Sequence, residues 1–278
     1  MGKIWKKIVL VLVRIGFLVF CGLALVLFFF QASLIYHPRR YPPNSAHTLP
    51  PGWQALRFTT SQGEQTAFYK IPSQPLRRVW VFFGGNGSLA LDWTADRHLI
   101  PPDDAALLVE YPSYGCCEGK PTPATILENS IAASQAFAQR LKLTPADFDA
   151  KLNIVGHSLG CAAALQFAAR QPVERIVLFA PFTSMVAMAR RTVGWPLCEL
   201  CRHRFNNEAR LRELSERARP PRVTIFHGSD DEVIPVAMGR KLAAEFPAMI
   251  EFHEVPRAGH NSVLIEKLPA LGRILRAP

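Results

Sequence analysis

A serine flanked by glycines, Gly156-His157-Ser158-Leu159-Gly160, stands between a short apolar run (Asn153-Ile154-Val155) and a helix-forming stretch. At such a strand-to-helix turn the glycines leave room for a strained backbone that holds the hydroxyl outward. The first N–H groups of the following helix lack intrahelical partners and can receive developing negative charge. A serine hydroxyl is a poor nucleophile at neutral pH, so the arrangement needs a base and a carboxylate to orient it. Two later loops offer both. One apolar run ends at His227 and continues as Gly228-Ser229-Asp230-Asp231-Glu232; another ends at Val255 and continues as Pro256-Arg257-Ala258-Gly259-His260-Asn261. The order Ser158, Asp231, His260 is a nucleophile-acid-histidine order, with Asp230 as the alternative acid. Such a set attacks an acyl carbonyl and needs no metal or organic cofactor.

These residues must be brought together by a scaffold, and the rest of the chain reads as one. Apolar, β-rich runs at 78–83, 106–111, 153–157, 175–180, 222–227 and 250–255 alternate with helix-length stretches at 124–141, 159–170, 236–246 and 262–275. The runs are continuously apolar, which implies strands covered on both faces and therefore an α/β fold with a mostly parallel sheet between helices. Parallel sheets place their sites at the carboxyl ends of strands, where all three residues stand. Residues 55–60 and 66–71, with Gly63 between them, read as an edge hairpin. Residues 182–219 are too long for a simple crossover and read as an inserted lid. Its eight arginines against four glutamates match the surplus of the whole region after residue 40.

Residues 8–30 are 23 nearly uninterrupted apolar residues, enough to cross the roughly 30 Å of a bilayer's hydrocarbon core at 1.5 Å per residue. The single charge, Arg14, can carry its guanidinium back toward the interface beside Lys6 and Lys7. No small-residue cleavage site follows the run, and Phe20 before Cys21 is a poor fit to lipoprotein processing, so residues 1–31 read as an uncleaved membrane anchor. The basic residues before the span favour a cytoplasmic N-terminus, with the catalytic domain on the other side. Residues 32–54 are proline-rich and read as a juxtamembrane linker, and the folded domain as 55–278.

The net charge of +10 does not indicate nucleic acid: six of the 32 Lys and Arg and none of the 22 Asp and Glu lie in residues 1–40, leaving only +4 on the remainder. The five cysteines outside the span, Cys116, Cys117, Cys161, Cys198 and Cys201, have no framework pattern and read as mostly reduced. A disulfide from Cys116 or Cys117 to Cys198 or Cys201, tying lid to rim, is the alternative. Cys198-x-x-Cys201 with His203 is half of a zinc site without a second half. His157 reads as a packing residue, and His227 and His253 as satisfied strand residues.

Five local signatures carry a resemblance: FQASLIYHPR after the span, FFGGNGS after an early strand, EYPSYGCCEGKPTP, GHSLG, and the pair HGSDDEVIP and AGHNS. With them the chain resembles the α/β-hydrolases, and within these is similar to the Bem46-like group of membrane-anchored serine hydrolases. The resemblance implies Asp231 rather than Asp230 as the acid, and an oxyanion hole from the backbone N–H groups of Asn86 and Leu159. It also shows departures. Gly84 stands where the group has a histidine, Glu110 where it has an aspartate, and Cys116-Cys117 where it has a basic residue and a serine. The expected function is cleavage of an acyl ester or thioester, of a lipid-like substrate, through an acyl-Ser158 intermediate. A peptidase or amidase on the same residues, and a non-catalytic tethered scaffold, are the rivals.

Overall fold

Strand runs that are apolar without alternation have to be covered on both faces, and the computed structural model, which describes residues 2–42, 49–96 and 98–277, arranges them so. The chain opens with helix α1 (Gly2–Ile35), long and apolar enough to cross a membrane. The edge hairpin is β1 (Trp53–Thr60) and β2 (Gly63–Lys70), followed by β3 (Arg78–Phe83) and β4 (Asp104–Val109). Helices α2 (Pro123–Arg140) and α3 (Pro145–Asp149) lead to β5 (Leu152–His157), α4 (Leu159–Ala168) and β6 (Arg175–Phe179). Then come α5 (Met185–Val193), α6 (Asn207–Ser215), β7 (Arg222–Gly228), α7 (Val236–Glu245), β8 (Ile250–Val255) and α8 (Ser262–Arg276). Among the described residues the eight strands form one sheet in the order β1-β2-β4-β3-β5-β6-β7-β8, antiparallel at β1-β2 and β2-β4 and parallel from β4 to β8.

Alternate residues of each central strand feed two cores. Val79, Val81 and Phe83 pack toward α2 and α4, whereas Trp80 and Phe82 pack toward α8. The strand expected at 106–111 begins two residues earlier and ends at Val109. Its first residue is a charged one that sequence reading leaves out of a strand, yet Asp104 is fully buried. Arg77 donates to both of its oxygens (3.0 and 3.1 Å) and Trp80 Nε1 to Oδ2 (3.0 Å), so the carboxylate is paid in hydrogen bonds rather than excluded.

Two expectations about the surroundings of the domain are corrected. Residues 43–48 of the 32–54 linker lie outside the described residues. Of the remainder, 32–35 complete α1, and Tyr36 and Tyr41 pack into the domain. Tyr36 is 3% exposed with its hydroxyl 3.1 Å from His203 Nδ1, and the Tyr41 hydroxyl donates to Glu110 Oε2 at 2.7 Å. The aromatic rings make this stretch a strap, not a free tether. The lid, expected over 182–219, narrows to 184–206. A backbone bridge joins Ser184 to Asn206, and α6 returns to the body, with Leu211 and Leu214 fully buried in the core beside α4. Helix α5 buries no residue and is capped by Ser184 Oγ on the Ala187 N–H.

The turn after β5 is tightly packed against backbone. Ser158 has φ +55° and ψ −118°, and its N–H bonds to the Phe179 carbonyl at 2.9 Å. A Cβ on Gly156 would sit 2.6 Å from the Gly160 carbonyl oxygen. One on Gly160 would collide with the carbonyls of Phe83 and Gly84. Both glycines therefore answer to backbone, which cannot move aside as a side chain can. We expect Gly160→Ala to cost about 3 kcal/mol, read as a lowered urea midpoint of the detergent-solubilised protein. Gly16→Ala, where a Cβ meets nothing within 4 Å, leaves the midpoint unchanged.

Glu110 gives a second expectation. Burial pushes its carboxyl up to about 8, although the hydrogen bonds from Tyr41 and the Ala90 N–H pull the other way. The unfolded chain ionises this group near 4.5, so stability is fully present below that pH and is lost as pH rises toward 8. Glu110→Gln removes this loss. Its melting temperature should match the wild type at pH 3.5 and exceed it at pH 8.5.

Candidate active site

Three loops at the carboxyl edge of the sheet bring the expected residues together. Ser158 sits between β5 and α4, Asp231 between β7 and α7, and His260 between β8 and α8. His260 Nε2 lies 2.9 Å from Ser158 Oγ, and His260 Nδ1 lies 2.9 Å from Asp231 Oδ2. All three are less than a tenth exposed. A carboxylate accepts only, so Nδ1 carries the proton and Nε2 is left to accept from the serine hydroxyl. Asp230 is exposed and takes a hydrogen bond from the Ser229 hydroxyl at 2.7 Å, so Asp231 is the acid that meets the imidazole.

Asp231 is held on every side. Its Oδ1 accepts from the N–H groups of Val233 (2.9 Å) and Ile234 (2.7 Å), and its Oδ2 faces His260 and His227 Nε2, the latter at 3.3 Å. Burial alone would raise its pKa; the hydrogen bonds from His227, His260 and Ile234 outweigh burial and hold the carboxyl well below the usual carboxylate range. It stays an anion wherever the protein is folded near neutral pH. His227 is fully buried, and its Nε2–H is shared between Asp231 and the Ile234 carbonyl at 2.8 Å. Only half of the ring is satisfied, because the buried Nδ1 has no hydrogen-bond partner among the described residues, so the expected fully satisfied strand residue is corrected; through Nε2 it also supports the acid. Nothing in the spacing of the sequence reveals that second task.

His157 turns away from the serine. Its Nε2 lies 3.2 Å from the His260 carbonyl oxygen, and its ring is tilted against that of His260 at 5.3 Å. Burial, aided by the charge of His260, lowers it to about 4, so it is neutral at pH 7 and braces the His260 loop without adding charge. The cysteines are free thiols. Cys117 is tied to the backbone of Thr66 by hydrogen bonds at 3.3 Å, not to the lid. His203 faces Tyr36 rather than a Cys198-Cys201 metal site.

Asn86 and Leu159 line the same apolar cavity as Ser158, about 620 Å³ in volume. Leu159 opens α4, so its N–H has no intrahelical partner. The Asn86 side chain does something the sequence does not announce. Its Nδ2 donates to the Ile35 carbonyl at 2.6 Å, and its Oδ1 accepts from the His37 N–H (2.9 Å) and the Tyr114 hydroxyl (2.7 Å). The turn after β3 is thus fastened to the end of α1. Helix α1 also contributes to the cavity wall through its last turns, with the lid opposite. Leu34 and Ile35, apolar again after Gln31-Ala32-Ser33, were the signal in the sequence for this.

Known proteins bear on this arrangement. A family model described as serine hydrolase matches residues 125–265. An uncharacterized protein of Mycobacterium tuberculosis is 27% identical over 255 residues, covering 90% of this chain and 87% of its own. The human alpha/beta hydrolase domain-containing protein 17B is 29% identical over 154 residues, which is 55% of this chain and 49% of that protein. Among solved structures, an alpha-beta hydrolase from Vibrio vulnificus superposes with a TM-score of 0.62 at 19% identity, covering 81% of each chain. The matched segment runs from α2 through the nucleophile turn to the start of α8, and takes in all three residues that meet at the sheet's edge. The chain belongs to the serine hydrolase family, within the α/β-hydrolase superfamily.

Proposed function

We propose that this protein is a membrane-anchored serine hydrolase that cleaves an acyl ester or thioester, with a lipid-like substrate, through a covalent acyl-Ser158 intermediate. The observation that carries the reading is the unbroken hydrogen-bonded line from Asp231 through His260 to Ser158, which lines an apolar cavity. As Ser158 Oγ attacks the acyl carbonyl, His260 Nε2 takes the hydroxyl proton and then delivers it to the leaving oxygen or sulfur. Asp231 stays ionised and holds the imidazole in the tautomer that leaves Nε2 free to accept. The tetrahedral oxyanion is received by the backbone N–H groups of Leu159 and Asn86, the donors assigned by resemblance. Water, activated by the same imidazole, then releases the acid and restores the serine.

A neutral His157 beside His260 suits this cycle, because a second imidazolium would oppose the charge that His260 acquires in the transition state. The apolar cavity favours a hydrocarbon acyl group over a peptide, whose backbone polar groups would be left unpaired there. Helix α1 supplies the anchor, and the basic residues at its start favour a cytoplasmic N-terminus with the domain on the other side.

The test is labelling and turnover on the full chain. Wild-type protein should react with a fluorophosphonate probe and hydrolyse p-nitrophenyl esters, and Ser158→Ala should lose the label and at least about 10⁴-fold in kcat. Asp231→Asn should lose about 10⁴-fold in kcat, whereas Asp230→Asn should stay close to wild type. A panel of matched esters, thioesters and amides decides the bond class. Faster turnover of the amides would replace the esterase reading by an amidase, and unlabelled, inactive wild-type protein would leave only a tethered scaffold.

A further inference from the structure

The cavity at Ser158 has an unusual wall. Val26, Leu27, Leu34 and Ile35 of α1 form one side of it, and Met188 and Ala189 of α5 the other. The helix that reads as the membrane span is therefore part of the site. Its length explains how it can be both. At 1.5 Å per residue its 34 residues measure about 51 Å, whereas a bilayer core of roughly 30 Å needs about 20. Counted from Lys7, the last cation before the long apolar run, twenty residues reach Leu27. The cavity wall begins there, at the level where hydrocarbon gives way to headgroups.

The polar contacts change character at the same level. Gln31, in the turn after Leu27, is 7% exposed, with its amide donating to the Leu200 carbonyl (3.3 Å) and its Oε1 accepting from the Arg202 N–H (2.6 Å). The Arg202 guanidinium stands over the Phe28 ring at 4.9 Å. On the lid, Trp195 follows α5 and is 74% exposed, close in sequence to Arg190 and Arg191. An exposed tryptophan flanked by arginines suits a membrane interface with anionic headgroups. The lid residues on either side of Trp195, Val193 and Leu197, line the same cavity as Val26 and Leu27 of the span.

We propose that the space between the last turns of α1 and helix α5 is an acyl-chain site that opens sideways to the membrane. Its occupant is the fatty acyl tail of a bilayer lipid, drawn in laterally so that its ester carbonyl reaches Ser158. This rests on the serine hydrolase reading for its chemistry, but not for its binding. A tail taken from the bilayer exchanges one apolar surrounding for another, and a cavity of about 620 Å³ is within the range that holds a molecule of moderate size.

The experiment uses the full chain reconstituted in vesicles of phosphatidylcholine and phosphatidylglycerol. Its probes are a fluorogenic phospholipid, p-nitrophenyl acetate, and a phospholipid carrying a diazirine on its acyl chain. Leu27→Trp and Ala189→Trp fill the site from its two sides. Each should lower the ratio of phospholipid to acetate turnover at least tenfold, while Leu18→Trp on the outward face of the span leaves the ratio as in wild type. In Ser158→Ala, which needs no turnover, the diazirine should crosslink within residues 26–35 and 185–193. Crosslinks confined to other segments, or an unchanged ratio in both filling variants, would overturn the acyl site. So would equal hydrolysis of the phospholipid when it is supplied in separate, protein-free vesicles. A wild-type protein inert to fluorophosphonate and acetate ester, yet crosslinked at these two segments, would remove the hydrolase reading and keep the acyl site.

Discussion

Holding an imidazole in one tautomer and one orientation takes a fixed acceptor at one ring nitrogen, and at His260 a single carboxylate supplies it. Asp231 receives hydrogen bonds from two backbone N–H groups and faces two histidine rings. Those donors have to come from three places in the chain: the loop after β7, the end of β7 itself, and the loop after β8. They coincide because β7 and β8 lie side by side and parallel, in a register that pairs His227 with Glu254 and Gly228 with Val255. A Cβ on Gly228 would strike the carbonyl of Ala258, so the two loops touch backbone to backbone. Shifting β7 by one residue would turn His227 to the opposite face and leave the acid with burial but fewer donors. Buried ionised carboxylates without such partners are costly.

The serine depends on the sheet in another way. Its backbone lies in the left-handed region, where a non-glycine residue is strained by about 1–3 kcal/mol. That strain is held by the bond from the Ser158 N–H to Phe179 on β6 and by the close approach of Gly160 to the end of β3. The turn after β3 is in turn fixed from outside, because Asn86 bonds the last carbonyl of α1 and the first N–H of the strap. The position of Ser158 is thus set partly by rigid strands and partly by the end of an apolar helix whose described side chains up to Phe20 are exposed.

Much of this was legible in the sequence, and the exceptions have common causes. Strands at 78–83 and 250–255 were readable to the residue, the first because a buried parallel strand leaves a largely apolar run between clear breaks, the second, an edge strand, because β-forming residues stand between a helix end and the Pro256 turn. The three residues at the sheet's edge were readable because their neighbours, two glycines around Ser158 and the turn chemistry around Asp231 and His260, answer to local backbone demands. What escaped depended on partners distant in sequence. Asp104 is a strand residue only because Arg77 and Trp80 neutralise it. Tyr36 and Tyr41 looked like linker because their partners, His203 and Glu110, lie 167 and 69 residues away. The lid looked longer than it is because α6 is charged along most of its length and buries only Leu211, Leu214 and Asn207. Composition there reports solvent contact, while three inward residues fix the helix to the body.

The two walls of the cavity are not equally free to move. On the α1 side, withdrawing the helix end would strand the Gln31 amide, the Leu200 carbonyl and the Arg202 N–H, and would undo the Asn86 bonds to Ile35 and His37. Of these side chains Gln31 is the buried one, and a buried polar group left unpaired costs about 1–3 kcal/mol, whereas the exposed Asn86 would turn to water. On the opposite side, α5 has no buried residue, is capped within its own segment, and ends at Gly194 in the left-handed region at φ +72°. Its outward displacement breaks apolar contacts that a hydrocarbon chain would replace. Any widening of the site is therefore borne by α5, while α1 and the turn that carries Asn86 stay fixed beside Ser158. A cavity built this way can widen without loosening the geometry around Ser158.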